Sequence, residues 1–214
     1  SPLLLDLGPE DPGIFVSQSV HKQQAGFSMT SQIHKKDSHI KGQDRYVPHK
    51  RVNNAFMMHA STSPLYQLFA ALDVNAKMHE GEGGKKLWVD AVKTVIETRK
   101  QVLRNCHYIR PLVPPMVHGK KWEEGNTEQM ANDMDYWAFE PGATWHGFDG
   151  YGKGQYFIDP MKLQFVTEGI DVENGGYEKF GIPGNILANY LRENGIIPEK
   201  CDLNDILFLM TPAE

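Results

Sequence analysis

The sequence is poor in cysteine, has no long apolar run and carries no excess of positive charge. Its two cysteines, Cys106 and Cys201, belong to no C-x-x-C or other recognisable spacing. That excludes a disulfide scaffold, suits a reducing compartment and leads us to expect a cytoplasmic protein. No apolar run reaches the roughly 18 residues of a membrane span, so no membrane partner is expected. The first residues, SPLLLDLGPEDPG, lack a basic n-region and run at once into acidic residues, unlike a secretory signal. Net charge is −5 and the pI about 6.0, which leaves no global basic field to hold nucleic acid. The nine histidines form no H-E-x-x-H and no Cys/His cluster, so no metal is expected. GEGGKKL looks briefly like a phosphate loop, but its spacing is wrong and Leu87 stands where Ser or Thr should follow the lysine. There is no internal repeat and no low-complexity tract.

What is present is an ordinary globular composition, 40% hydrophobic and 23% charged over 214 residues, enough for one large domain or two small ones. GIFVSQS (13–19), opened by the turn signal EDPG, reads as a buried strand, and TSQIHKK as a second strand. In ASTSPLYQLFAALDVNAKMH a hydroxyl cluster and a proline signal a helix start, with Leu65, Leu68, Phe69 and Leu72 on one face. GEGG should break that helix. Trp88, Ala91, Val92, Val95, Ile96, Arg99, Val102 and Leu103 then mark one face of a long helix without internal Gly or Pro. The proline-rich stretch at about 109–115 is the expected domain boundary, dividing 1–112 from 113–214. Beyond it, YWAFE and QYFIDPMKLQFVT read as strands. FGIPGNILANYLRENG reads as a helix with Ile186, Leu187, Tyr190 and Leu191 on one face and Gly195 as its stop, and DILFLM as a short buried strand. Helix alternating with strand predicts an α/β class in both parts.

Two further segments stand out. HKKDSHIKGQDRYVPHKR holds six Lys or Arg against two Asp, a composition that fits a solvated or subunit-contact surface. YWAFEPGATWHGFDGY is rich in aromatics, and Trp137, Trp145 and Phe148 are expected in a core or an interface.

The chemistry centres on SVHK. Lys22 follows a strand and precedes a glycine-containing turn. A lysine amine in a suitable environment forms a Schiff base with a carbonyl group, and an adjacent imidazole such as His21 can move protons. Ser19, three residues earlier, can bond a phosphate oxygen. Four residues alone do not separate this from a surface lysine after a strand. HASTSP can equally cap a helix or bind a phosphate there, and Glu199, taken alone, is an exposed turn residue.

The longer segment SVHKQQAGFSMTSQIHKKD resembles the cofactor-lysine segment of the bacterial ornithine, lysine and arginine decarboxylases, which have the aspartate-aminotransferase fold. MMHASTSPLYQLFAALDVNAKMHEGEGG, ATWHGF, YFIDPMKL, FGIPGNILANYLRENGI and PEKCDLNDILFLMTPAE resemble further segments of that family in the same order. HKQQAGFS and PEKCDLN are nearest to its ornithine-acting members. The resemblance implies the end of a large domain that binds pyridoxal 5′-phosphate, followed by part of a small α/β domain. It implies that Lys22 is the Schiff-base lysine, that His21 lies near the cofactor as a candidate proton donor, and that Ser19 binds its phosphate. It implies that Ser61 and Ser63 reach the phosphate of a partner subunit, hence a homodimer or larger oligomer, and that Glu199 meets the distal ammonium of L-ornithine. Met29 departs from the resemblance, which has Gln there. The aspartate expected to pair with the pyridinium nitrogen falls upstream of Ser1, so the chain reads as an internal piece that would be inactive alone. A lysine or arginine decarboxylase, and a non-catalytic binding or regulatory relative, remain as alternatives.

Overall fold

The computed structural model describes residues 6–24, 26–172 and 174–212; the N-terminal SPLLL lies outside the described residues. The chain forms two compact units that part between Gly81 and Glu82, and both mix helix with strand.

In the first unit β1 (Ile14–Ser19) and β2 (Ser31–Lys36) form an antiparallel hairpin, in register from Ile14 opposite Lys36 to Ser19 opposite Ser31. A single helical turn, α1 (Val20–Gln23), follows β1 directly. Both strands fall where sequence patterning puts them, but β1 is not buried. Phe15 is 47% and Ile33 56% exposed, because a strand is buried only when neighbours flank it and a layer covers it, and this sheet has two strands. Val20 and Ile40 are the buried apolar residues here. Gly13 leaves room for Ile40 and Asp37, since a Cβ there would stand 3.1 Å from Asp37 Cβ and 3.2 Å from Ile40 Cδ1. The basic segment folds back on its own surroundings. Lys35 pairs with Asp37 and lies 4.8 Å from the Tyr46 ring, while Arg45 donates to the carbonyl oxygens of Pro9 and Glu10.

Helix α2 (His49–Met57) buries no residue, and α3 (Tyr66–Met78) buries only Asn75 among its described residues. The predicted stripe on α3 is therefore present but largely uncovered, with Leu65 and Phe69 exposed. The hydroxyl cluster does not cap α3. Leu65 occupies the N-cap position without a side-chain bond, because Pro64 and an extended Leu65 separate the serines from the first turn.

In the second unit α4 (Gly81–Asn105) begins at the glycines expected to end α3. Gly81, at φ +61°, makes the break, and the rest of GEGG is the first turn of α4. The strands that follow are β3 (Ile109–Pro111), β4 (Met116–Val117) and β5 (Lys120–Lys121). The two-residue turn between β4 and β5 has φ +50° at His118 and +76° at Gly119, the signs that a type I′ hairpin turn requires. Then come α5 (Thr127–Met130), β6 (Lys162–Thr167), α6 (Gly184–Glu193), β7 (Lys200–Cys201) and β8 (Asp205–Leu209). The main sheet has the order β3-β6-β8-β7 and is antiparallel throughout. The proline-rich stretch runs along its edge as β3, a position where a missing N–H costs no ladder bond.

Three expectations give way to tertiary packing. YWAFE is not a strand: Met134–Trp137 form a 3-10 turn started by the Asp133 carboxylate accepting from Asp135 N, and only Ala138 bridges to Phe157. Indole hydrogen bonds hold the aromatics inward, Trp137 to Met130 O at 2.9 Å and Trp122 to Tyr136 O at 3.0 Å. QYFIDPMKLQFVT becomes a strand only from Lys162, because Asp159 closes a turn by accepting from Met161 N and Lys162 N. On α6 the covered face is Gly184, Leu187, Ala188 and Leu191, while Ile186 and Tyr190 form an exposed stripe.

Helix α4 organises this unit. Ile96 packs with Val113, Trp122, Met130, Tyr136 and Trp137, and its neighbour Val95 with Met161, Leu163, Phe165, Ala188 and Ile206. Between these clusters sits Arg99, 1% exposed. Its guanidinium donates to Pro160 O at 2.8 Å and Lys162 O at 2.9 Å and lies 5.2 Å from the Trp137 ring. Burial lowers its pKa to about 10, so it stays charged at neutral pH. Arg99→Met in the full-length protein should orphan both carbonyls and cost about 3 kcal/mol, and Arg99→Lys should rescue little, lacking the two-pronged donor. The urea midpoint measures both, and a wild-type midpoint for Arg99→Met would remove Arg99 from this role.

Candidate functional site

The turn after β1 is built by hydrogen bonds that extend the hairpin past its last pair. Val20 N donates to Thr30 O at 3.0 Å, and His21 Nδ1 lies 2.7 Å from the same oxygen. Thr30 is buried, and its hydroxyl donates to Phe27 O at 3.0 Å. With Val20 anchored inward, Ser19 and Lys22 are turned outward and His21 is half-buried. Among the described residues the Lys22 amine has no hydrogen-bond or ion-pair partner. Lys22 thus stands at a strand end as expected, but exposed. An open amine, an imidazole and a hydroxyl at one end of a hairpin are a donor set that fits a ligand bearing an aldehyde and a phosphate.

Ser61 and Ser63 lie in the exposed loop between α2 and α3, where Ser63 N is 3.5 Å from Ser61 Oγ. No hydrogen bond among the described residues joins that loop to the hairpin. Glu199 belongs to the second unit, at the head of β7. Its backbone N donates to Leu207 O at 2.8 Å, Pro198 behind it is buried, and its side chain is exposed. Ser19, His21 and Lys22 therefore share one turn, no hydrogen bond among the described residues joins Ser61 or Ser63 to it, and Glu199 belongs to the other unit.

Sequence reasoning missed a cleft of about 860 Å³ in the second unit, lined among others by Arg110, Pro115, His118, Asp135, Glu140 and Trp145. At its edge His118 Nε2 lies 3.0 Å from Asp133 Oδ2 and 3.7 Å from Asp135 Oδ2. These three could approach one ion, their ligand atoms all lying within 4.8 Å. They also satisfy one another: the Asp135 N–H and His118 hold the Asp133 carboxyl below the usual carboxylate range. The one signal in the sequence is D-x-D at 133–135, too common to single out.

The aromatic segment forms one wall of the cleft. Trp137 and Trp145 are core residues, as expected, while Phe148 is exposed. His146 knits this wall together. Its Nδ1 accepts from Phe148 N at 2.9 Å, so Nε2 carries the proton and donates to Glu140 O at 2.9 Å. Desolvation by burial lowers its pKa. A base whose folded pKa is depressed binds fewer protons folded than unfolded, so stability falls as pH drops through its unfolded pKa of about 6.5. Thermal unfolding of the full-length protein should show that loss between about pH 7 and 5, smaller in His146→Gln. An identical pH dependence in the variant would refute it.

The family model described as Orn/Lys/Arg decarboxylase, major domain, matches residues 1–214. The chain is 66% identical to an inducible ornithine decarboxylase of Escherichia coli K12 over 214 residues, all of this chain and 29% of that protein. It is 64% identical to an ornithine decarboxylase of Haemophilus influenzae, over 100% of this chain and 30% of that one. A lysine decarboxylase of Hafnia alvei is 34% identical over 95% of this chain and 25% of its own length. Among solved structures, lysine decarboxylase A from Pseudomonas aeruginosa superposes with a TM-score of 0.76 at 31% identity, over 95% of this chain and 26% of that one. The chain thus spans less than a third of the curated relatives it matches.

Proposed function

The chain belongs to the Orn/Lys/Arg decarboxylase family, and from that premise we propose that the protein it forms part of converts L-ornithine to putrescine and carbon dioxide, using pyridoxal 5′-phosphate. The observation that carries this reading is Lys22, an open amine beside His21 and Ser19 at the end of β1. The choice of ornithine over lysine rests on the wide gap in identity between the two groups of relatives. In this reading Lys22 holds the cofactor through its amine and Ser19 binds the phosphate. Ser61 and Ser63 of a neighbouring subunit complete the phosphate site, which makes the working unit a homodimer or a larger homo-oligomer. When bound, the cofactor supplies an electron sink for the bond to the departing carboxyl group. His21 or Lys22 then returns a proton to the substrate Cα. Glu199 pairs with the distal ammonium, a contact that strengthens and becomes directional where water is excluded.

We assign residues 1–112 to the end of the cofactor-binding large domain and 113–214 to part of the small domain. Among the described residues no helix is long and apolar enough to cross a membrane, and a cytoplasmic setting suits the reading.

Lys22→Ala in the full-length protein should abolish the cofactor's absorbance near 420 nm that borohydride quenches, and lower kcat by several orders of magnitude. Turnover at the wild-type rate would end the proposal, and would favour a non-catalytic role for this lysine. Glu199→Gln keeps shape and removes charge. It should lower kcat/KM for ornithine at least about thirtyfold, the scale of roughly 2 kcal/mol for one half of a desolvated charge pair, and spare norvaline. Equal losses on both substrates would make Glu199 structural.

A further inference from the structure

The hydrogen bonds beneath the Lys22 turn settle which nitrogen of His21 carries the proton. Thr30 O receives both Val20 N at 3.0 Å and His21 Nδ1 at 2.7 Å. A carbonyl oxygen has no hydrogen to give, so Nδ1 is the donor. In the neutral ring the lone pair then lies on Nε2, which has no partner among the described residues. We propose that Thr30 is a positioning residue that holds His21 in its Nδ1–H form, leaving Nε2 as the ring atom that exchanges a proton with the substrate. The inference rests on the decarboxylase reading above.

Three features show that this acceptor is held in place. The ladder is already extended by Val20 N–H, so the imidazole bond adds nothing the hairpin lacks; its effect falls on the ring. Thr30 is 2% exposed, and its hydroxyl ties back to Phe27 O at 3.0 Å, closing the 27–30 turn from within. The residue before it, Met29, sits at φ +71° with its side chain exposed. L side chains seldom adopt that conformation, and it persists only where the surroundings impose it. The turn is bent so as to present the Thr30 carbonyl to β1 and α1. A histidine held by one nitrogen is fixed in both tautomer and ring plane, the orienting role that a carboxylate or carbonyl plays behind many acid–base histidines.

The test uses the full-length protein carrying its cofactor, without substrate, labelled with 15N-histidine. Solid-state 15N spectra are recorded in alkaline buffer where imidazoles are neutral, and His21 is identified by the signal lost in His21→Asn. A protonated Nδ1 with a bare Nε2 is the expected result; the reverse tautomer, or an even mixture, overturns the proposal. Thr30→Val removes the hydroxyl tie at nearly constant shape. It should mix the tautomers and lower kcat about tenfold, a fraction of the roughly 10²–10⁴-fold that a positioned acid or base contributes, with KM within about twofold and an unchanged melting temperature. Thr30→Ser should restore both spectrum and kcat. A Thr30→Val protein with wild-type spectrum and kcat, or a Thr30→Ser protein no better than it, would overturn the positioning role. Should Thr30→Val not fold, the wild-type spectrum still decides. The spectrum needs no turnover, so it can fail while the reaction stands, and the Lys22→Ala result can fail while the tautomer stands.

Discussion

The second unit depends on one buried cation. Arg99 lies where the two hydrophobic clusters on α4 meet, and its two terminal nitrogens donate to main-chain carbonyls of Pro160 and Lys162, while its buried Nε has no hydrogen-bond partner among the described residues. An isolated buried charge is prohibitively costly, so the segment leading into β6 has to supply those acceptors at the right depth. Lys100, the next residue, repeats the device on the other side, donating to Gly125 O at 2.8 Å and Thr127 Oγ1 at 2.6 Å. Neighbouring residues on one helix thus hold the start of β6 and the segment leading into α5. From β6 the constraint passes along the sheet. β6 pairs with β8, and β8 holds the head of β7 through Leu207 O and Glu199 N. The placement of Glu199 is therefore set by helix packing far from it in sequence.

The first unit is held differently. It has little apolar core of its own, and its hairpin leaves Phe15 and Ile33 exposed. A two-stranded ribbon is marginal in water, and apolar side chains on both strands give it the surface of an element suited to being covered. Its hydrogen bonds gather in the turn beyond the ladder, where Thr30 O receives Val20 N and His21 Nδ1 and the Thr30 hydroxyl donates to Phe27 O. A buried threonine thus braces the short turn that carries His21 and Lys22.

Histidine chemistry differs between the two units for the same physical reason. His21 gives its Nδ1 hydrogen to a carbonyl and has no partner for Nε2 among the described residues, whereas His146 accepts a backbone N–H at Nδ1 and spends its Nε2 hydrogen on Glu140 O. Both rings are half-buried. One retains a nitrogen able to exchange a proton; the other has both nitrogens committed to holding a loop. Type and burial alone would not tell them apart, and the hydrogen-bond partner does.

Local order was legible in the sequence wherever it follows from local sterics and periodicity. The β1 and β2 runs, the apolar face of α4 and the stop at Gly195, φ +82°, all follow from residues within a few positions of one another. The segment around Lys22 was likewise recognisable as a motif, because its residues are contiguous. Tertiary structure decided what depends on partners distant in sequence. It turned YWAFE from a strand into a 3-10 turn through indole bonds to Met130 and the Asp133 cap. It chose Ala188 over Ile186 as the covered face of α6, because the backbone around Asp202 and Asp205 leaves Gly184 no room for a Cβ and so presses that side of the helix inward. It brought His118 to Asp133 and assigned the tautomers of His21 and His146. Periodicity reports which side of an element is apolar; only the packed chain supplies the specific carbonyl, carboxylate or ring that each polar group meets.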